Sequence, residues 1–191
     1  MLWRVLNTEL VCVARSSTIL ENNKHVNLCS YKLRQAKPGS MITLNGSNHA
    51  FGLSRLPGTQ TLDLRSLDGV IGMDGDGNVN FGASCTIEAL LGYLQHRHGR
   101  TLPVIPDMKH LIMGGIVSGI GGGSGSWHEG AFHDAVLDCD VLLGDGSMVW
   151  GCSPDHHPDL FHALPGSLGT LGYITRLRMR TVPLRKYVRT R

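Results

Sequence analysis

The stretch His110–Gly130 reads HLIMGGIVSGIGGGSGSWHEG, an apolar run that passes directly into Gly114, Gly115, Gly119, Gly121, Gly122, Gly123 and Gly125. It could be a linker, a membrane-crossing segment, a nucleotide-phosphate cradle or something else. A solvent linker does not begin with Leu111, Ile112, Met113, Ile116 and Val117 behind Pro103 and Pro106. A membrane span needs about 20 apolar residues, and no run in the chain approaches that. The dinucleotide-binding turn fails too: counted from Gly119 or Gly121, its third glycine falls on Ser124 or Ser126. What remains is physical. Glycines bare the backbone N–H groups, which can then approach a diphosphate or a flat ring where any Cβ would collide.

The 191 residues are 41% hydrophobic, enough for one core or two small subdomains that share an interface. Net charge is +3, yet seven of the 18 basic residues and no acid lie in residues 176–191. Within that segment Ile174 to Val182 reads ITRLRMRTV, where Arg176, Arg178 and Arg180 alternate with Leu177 and Met179. This is strand periodicity with one solvated or domain-facing side, and no aromatic or helical reader of nucleic acid accompanies it. Cys12, Cys29, Cys85, Cys139 and Cys152 are scattered and never form CxxC, which suggests neither a disulfide framework nor a zinc site and fits a reducing compartment. The N-terminus, MLWRVLNTELVCVARSS, is too interrupted by Asn7, Thr8 and Glu9 to read as a signal peptide. The expectation is a cytoplasmic or peripherally membrane-associated chain without a transmembrane segment.

Local patterns predict a mixed α+β chain. A strand-like VCVARSST from Val11 leads to a helix over 26–35, a strand over 41–44 and a glycine-bearing loop. Strands follow near 61–64, 70–73 and 79–83, the last two joined by the turn DGDGN. TIEALLGYLQHRHG places Ile87, Leu90, Leu91 and Leu94 at helical spacing, with Thr86 as N-cap and Gly99 just past the end. AVLDCDVLLGDGSMVWG predicts a second hairpin, and Pro158 marks the first turn of a short helix.

Several sites are excluded by spacing. DGDGNVNFGASC has Val79 where a calcium loop needs glycine and Cys85 where it needs a bidentate Glu. HEGAFH is one residue too long for HExxH, so His128 and His133 would not stack on one helical face, and no metal is expected. GxSxG and GK are absent, which removes the nucleophile elbow and the Walker loop.

Three segments together resemble the FAD-binding domain of the PCMH (vanillyl-alcohol-oxidase) type, over nearly the whole chain. LNGSNHAFG is similar to the family's R-G-x-G-H-S loop, with Gly46 and His49 matching while Asn45, Asn48 and Ala50 depart from Arg, Gly and Ser. The opening stretch is similar to the P-x5-TVGG segment and the basic residue and glycine beyond it; Gly114, Gly115, His128 and Gly130 match, and Ile112 and Met113 replace Thr and Val. DLFHALPGSLGTLGYIT resembles the family's closing DLF-A-x-x-G-x-G-x-x-G-I-V-T, matching at Gly169, Gly172, Ile174 and Thr175. Within the family the chain resembles the delta(24)-sterol reductase (diminuto-like) branch.

The resemblance implies a fold of two α/β subdomains, about 1–66 and about 67–191, which hold FAD between glycine-rich loops, with a C-terminal cap domain absent from this chain. It implies cofactor contacts from Asn45, Gly46, Ser47, Asn48, His49 and Ala50 in the first loop. In the second they come from Ile112, Met113, Gly114, Gly115, Ile116, Val117, Ser118, Gly119, Ile120, Gly121, Gly122, Gly123, Ser124, His128 and Gly130, and near the end from Gly172 and Ile174. The implied activity is NADPH-dependent reduction of a carbon–carbon double bond of a sterol-like substrate through bound FAD. The alternatives are oxidation of a hydroxylated small molecule, of sugar-lactone or 2-hydroxy-acid type, and a module without catalysis. His49 is the position where some relatives attach the flavin covalently; no catalytic residue is assigned, and the Arg-rich strand is expected to face the cap.

Overall fold

The computed structural model describes residues 19–36, 42–44 and 60–187. The expected strand from Val11 and the loop residues Asn45, Gly46, Ser47, Asn48, His49 and Ala50 lie outside them.

Helix α1 (Ile19–Arg34) begins before the sequence pattern announces it. Among its described side chains Val26, Cys29, Ser30 and Leu33 are buried, a stripe at helical spacing, whereas the sequence ENNKH just ahead offers no apolar repeat. Strand β1 (Ile42–Leu44) pairs in parallel with β2 (Gln60–Leu62). Val26, Cys29 and Leu33 close with Leu62, Leu64, Leu67 and Leu142 into a small core of their own.

The main sheet is antiparallel throughout. Strands β3 (Val70–Met73), β4 (Val79–Gly82), β6 (Val136–Leu142), β7 (Met148–Cys152) and β8 (Tyr173–Met179) stand in the order β3-β4-β8-β6-β7. Short β5 (Arg100–Thr101) and β9 (Val182–Pro183) form a separate pair. Both expected hairpins are present. In the first, the Asp74 carboxylate accepts from the backbone of Asp76 and Asn78, which closes the turn.

Helix α2 (Ile87–His98) has the ends its sequence predicts: Thr86 Oγ1 accepts from the Ala89 N–H at 3.2 Å, and Gly99 takes φ 59°. Ile87, Leu90 and Leu94 pack with Phe81, Leu177, Met179, Phe132 and Cys139 in the principal core on one side of the sheet. Leu142 of β6 and Tyr173 of β8 carry the small core onto the main sheet, and the Tyr173 hydroxyl donates to Ile42 O at 3.1 Å.

The arginines in and just after β8 have acidic partners that the sequence pattern did not show. Because β8 is central, its outer face is flanked by neighbours: Arg176 reaches Asp140 and Asp138 at 2.6 and 2.7 Å and Asn80 at 2.9 Å. Arg178 reaches Asp138 and Asp74, and Arg180 reaches Glu129. Each of these charges has a carboxylate partner, while the Arg178 and Arg180 side chains remain 37% and 43% exposed on that face. Burial by itself lowers the Arg176 guanidinium's proton affinity, but the hydrogen bonds to Asp140 and Asp138 outweigh it and raise the pKa.

Candidate functional site

The glycine-rich stretch opens as a short helix, α3 (Met113–Ser118), in spite of two glycines. Packing overrides propensity here. Met113, Ile116 and Val117 fall into the core, and Gly114 lets the helix lie flat on the sheet, since a Cβ there would stand 2.9 Å from Ala83 Cβ. The Met113 and Gly114 N–H groups donate to Cys85 O and Ala83 O at 3.0 and 2.8 Å, which ties the helix to the end of β4.

Beyond α3 the chain folds back on itself. Gly119 N–H donates to Gly115 O, Gly121 N–H to Ile116 O, and Gly123 N–H to the Ser126 hydroxyl. A side chain on Gly123 would collide with the Ile105 carbonyl, so this glycine serves close approach of loop to loop rather than access for a ligand. Helix α4 (Ser126–Glu129) ends at Gly130, whose φ is 82°. Arg180 and His128 hold Glu129, and their hydrogen bonds lower its carboxyl pKa.

The N–H groups thus divide into two sets. Those of Met113, Gly114, Gly119, Gly121 and Gly123 are spent inside the fold. Gly115, Gly122 and Ser124 are exposed, and their N–H groups have no acceptor among the described residues. Three unspent donors within ten residues make a polar shelf suited to an anionic oxygen cluster.

The remaining expected site residues separate by burial. Met113, Gly114, Ile116, Val117, Gly172 and Ile174 are buried; Ile112, Ser118, Gly121, Gly123 and Gly130 are partly buried; Gly119, Ile120 and His128 are exposed beside the shelf. Gly172 packs against Val141 and Ile174 belongs to the principal core, so both shape the floor beneath the segment. The Gly166–Gly169 loop of the closing motif meets α3 directly: the Leu168 N–H donates to Ser118 O at 3.0 Å. Its GSLG spacing was visible, but which α3 residue it would touch was not.

Residues 33–151 match the model of a family described as FAD binding domain. The chain belongs to this family. The matched span contains α3, the shelf and the residues of the first glycine-bearing loop. Over 93 residues the chain is 41% identical to the delta(24)-sterol reductase of Rattus norvegicus, covering 49% of this chain and 18% of that protein. Over 158 residues it is 35% identical to cytokinin dehydrogenase 7 of Oryza sativa subsp. japonica, covering 78% of this chain and 29% of that protein. A delta(24)-sterol reductase of Pisum sativum is 33% identical over 88 residues. The chain therefore spans 18% and 29% of the length of the first two.

The shelf fits the family's ligand. FAD carries a diphosphate that needs several donors, and the exposed N–H groups of Gly115, Gly122 and Ser124 are of that kind. No helix among the described residues is long and apolar enough to cross a membrane.

Proposed function

We propose that this chain is the FAD-binding part of an FAD-dependent oxidoreductase. Membership of the FAD binding domain family supports this, and the observation that carries it is the set of three unspent N–H donors along one segment anchored into the sheet, Gly115 in the first turn of α3 and Gly122 and Ser124 beyond its end. In this reading Gly115, Gly122 and Ser124 donate to the diphosphate, and Asn45–Ala50 supplies further cofactor contacts. Gly172 and Ile174 keep the floor flat, and Glu129 with Arg180 fixes the end of the segment at α4. Bound FAD would supply hydride transfer to or from substrate.

The finer reading is a PCMH-type division into subdomains of about 1–66 and about 67–191. Two separate buried clusters, one built around α1 and one around α2 and β8, support it. For activity, the similarity to delta(24)-sterol reductases favours NADPH-dependent reduction of a carbon–carbon double bond in a sterol-like substrate, with further chain beyond this domain forming the substrate pocket. One observation favours a second reading, oxidation of a small molecule: the similarity to cytokinin dehydrogenase 7 extends over 78% of the chain.

Absorbance and thermal unfolding with added FAD test the proposal. A yellow protein, or a colourless one whose melting temperature rises with FAD, supports it. A colourless protein that FAD fails to stabilise would instead be a module without the cofactor. If flavin is bound, anaerobic bleaching by NADPH separates the reductase reading from the oxidation reading. Acid precipitation that leaves all flavin in the supernatant rules out a covalent bond to His49.

A further inference from the structure

The spacing of the cysteines gives no sign of pairing, but the register of the main sheet brings two of them face to face. Cys139 of β6 and Cys152 of β7 are direct partners across the second hairpin. Opposite residues of antiparallel strands stand about 4.5–5.5 Å apart at Cα, and a disulfide spans about 4.4–6.8 Å. Their Cβ atoms leave the sheet on the same side. Both side chains are buried in the principal core, where they share a hydrogen bond. Cys29 and Cys85 lie elsewhere, with their thiols donating to Asp63 O and Thr86 O.

Of the pair, Cys139 borders open space. It lines a cavity of about 300 Å³ together with His133, Asp134 and Val117 on one side of the sequence and His162 of the helix α5 (Pro158–Ala163) on the other. Cys152 is not part of that lining, and its thiol donates to His157 O at 3.7 Å. Burial pushes both thiols above their ordinary range. Thiolate is therefore scarce near neutral pH, and oxidation of the pair is slow.

We propose that Cys139 and Cys152 are a latent disulfide site, in which hydrogen peroxide entering the cavity oxidises the pair to a bond between β6 and β7. This does not depend on whether the chain binds FAD. In the first step the Cys139 sulfur, as thiolate, attacks one peroxide oxygen; an S–O bond forms, the O–O bond breaks, and hydroxide leaves and takes up the thiol's proton as water. In the second the Cys152 sulfur attacks the Cys139 sulfur; an S–S bond forms, the S–O bond breaks, and the sulfenic oxygen leaves with the Cys152 proton as a second water. The two thiols together give up two electrons, and these reduce the peroxide to water. Because β7 stands at the margin of the sheet beside β6, the bond ties the edge strand to its neighbour. A thiol reductant reverses it.

The experiment exposes the folded, unsubstituted chain to hydrogen peroxide, alkylates the remaining thiols in denaturant and maps the peptides by mass spectrometry. The expected result is a crosslinked peptide that joins Cys139 to Cys152, while Cys29 and Cys85 are alkylated and dithiothreitol restores both missing thiols. The rate should rise about tenfold per pH unit, as the thiolate fraction does below a thiol's pKa. In Cys152→Ser the resolving sulfur is gone, so sulfenic acid collects on Cys139 and is labelled there by dimedone. Full alkylation of Cys139 and Cys152 after peroxide, a bond between any other pair, or a bond that forms only once the chain is unfolded overturns the proposal. The peptide map of the unsubstituted chain decides this even where the variant folds poorly.

Discussion

The outer face of the main sheet and the glycine-rich shelf lie at opposite extremes in how they treat polar groups. On the sheet, Arg176 is satisfied by Asp138, Asp140 and Asn80, and the Asp140 carboxylate also accepts the Gly151 N–H. On the shelf, Gly115, Gly122 and Ser124 have donors to spare, and Ile120 and Leu168 hold apolar surface in water. In the first region the Arg176 charge is answered from both neighbouring strands. The second is unfinished by the standards of a stable fold, which is what a binding surface requires.

The largest way to break the contrast is Arg176→Met. It leaves Asp140 without its cation in a half-buried setting and costs about 3 kcal/mol, read as a fall of roughly 2–4 °C in melting temperature per kcal/mol for a domain of this size. FAD affinity, in contrast, should hold, because the network lies away from the shelf. An equal loss of both would mean the two regions are coupled.

Gly123→Ala tests the shelf. A Cβ there meets the Ile105 carbonyl, a backbone group that cannot step aside, so the loop must move, at a cost of about 1–3 kcal/mol. Here stability and the FAD-induced rise in melting temperature should fall together, since the displaced loop carries Gly122 and Ser124. Intact FAD stabilisation in this variant would place the cofactor elsewhere.

The smallest effect is one of pH. Glu129 ties the end of the segment to Arg180, whose hydrogen bond, followed by that of His128, holds the Glu129 carboxyl below its ordinary 4.5. A carboxyl depressed in the folded state lends stability that is full above 4.5 and is lost as the pH falls through the lower folded value. Glu129→Gln should therefore unfold slightly earlier than the parent near neutral pH and match it in acid. A constant difference across the whole titration would assign the effect to packing instead.

Much of this was legible in the chain. Thr86 and Gly99 announced both ends of α2, and the turn residues announced both hairpins, because caps and tight turns are settled by contacts within a few residues. The first half of α1 was not legible, since its sequence LENNK carries no apolar repeat. Nor was α3, where core contacts of Met113, Ile116 and Val117 outweigh two glycines that argue locally against a helix. The arginine strand was read correctly as a strand, but its carboxylate partners were not foreseen. Alternation reports that one side is polar, while only strand order reveals that acidic neighbours stand on both flanks.

By itself the sequence determined the mixed α+β class, the family motifs and the glycine-rich segment as the place to look. These rest on local spacing and residue chemistry, which survive without knowledge of the fold. The tertiary structure decided which glycine N–H groups are spent and which remain, that the β8 arginines meet carboxylates of other elements, and that the Gly166–Gly169 loop bonds to α3 through Leu168 and Ser118. Each of these depends on partners distant in the chain, and a hydrogen bond or a steric clash exists only once folding has brought both partners to the same place.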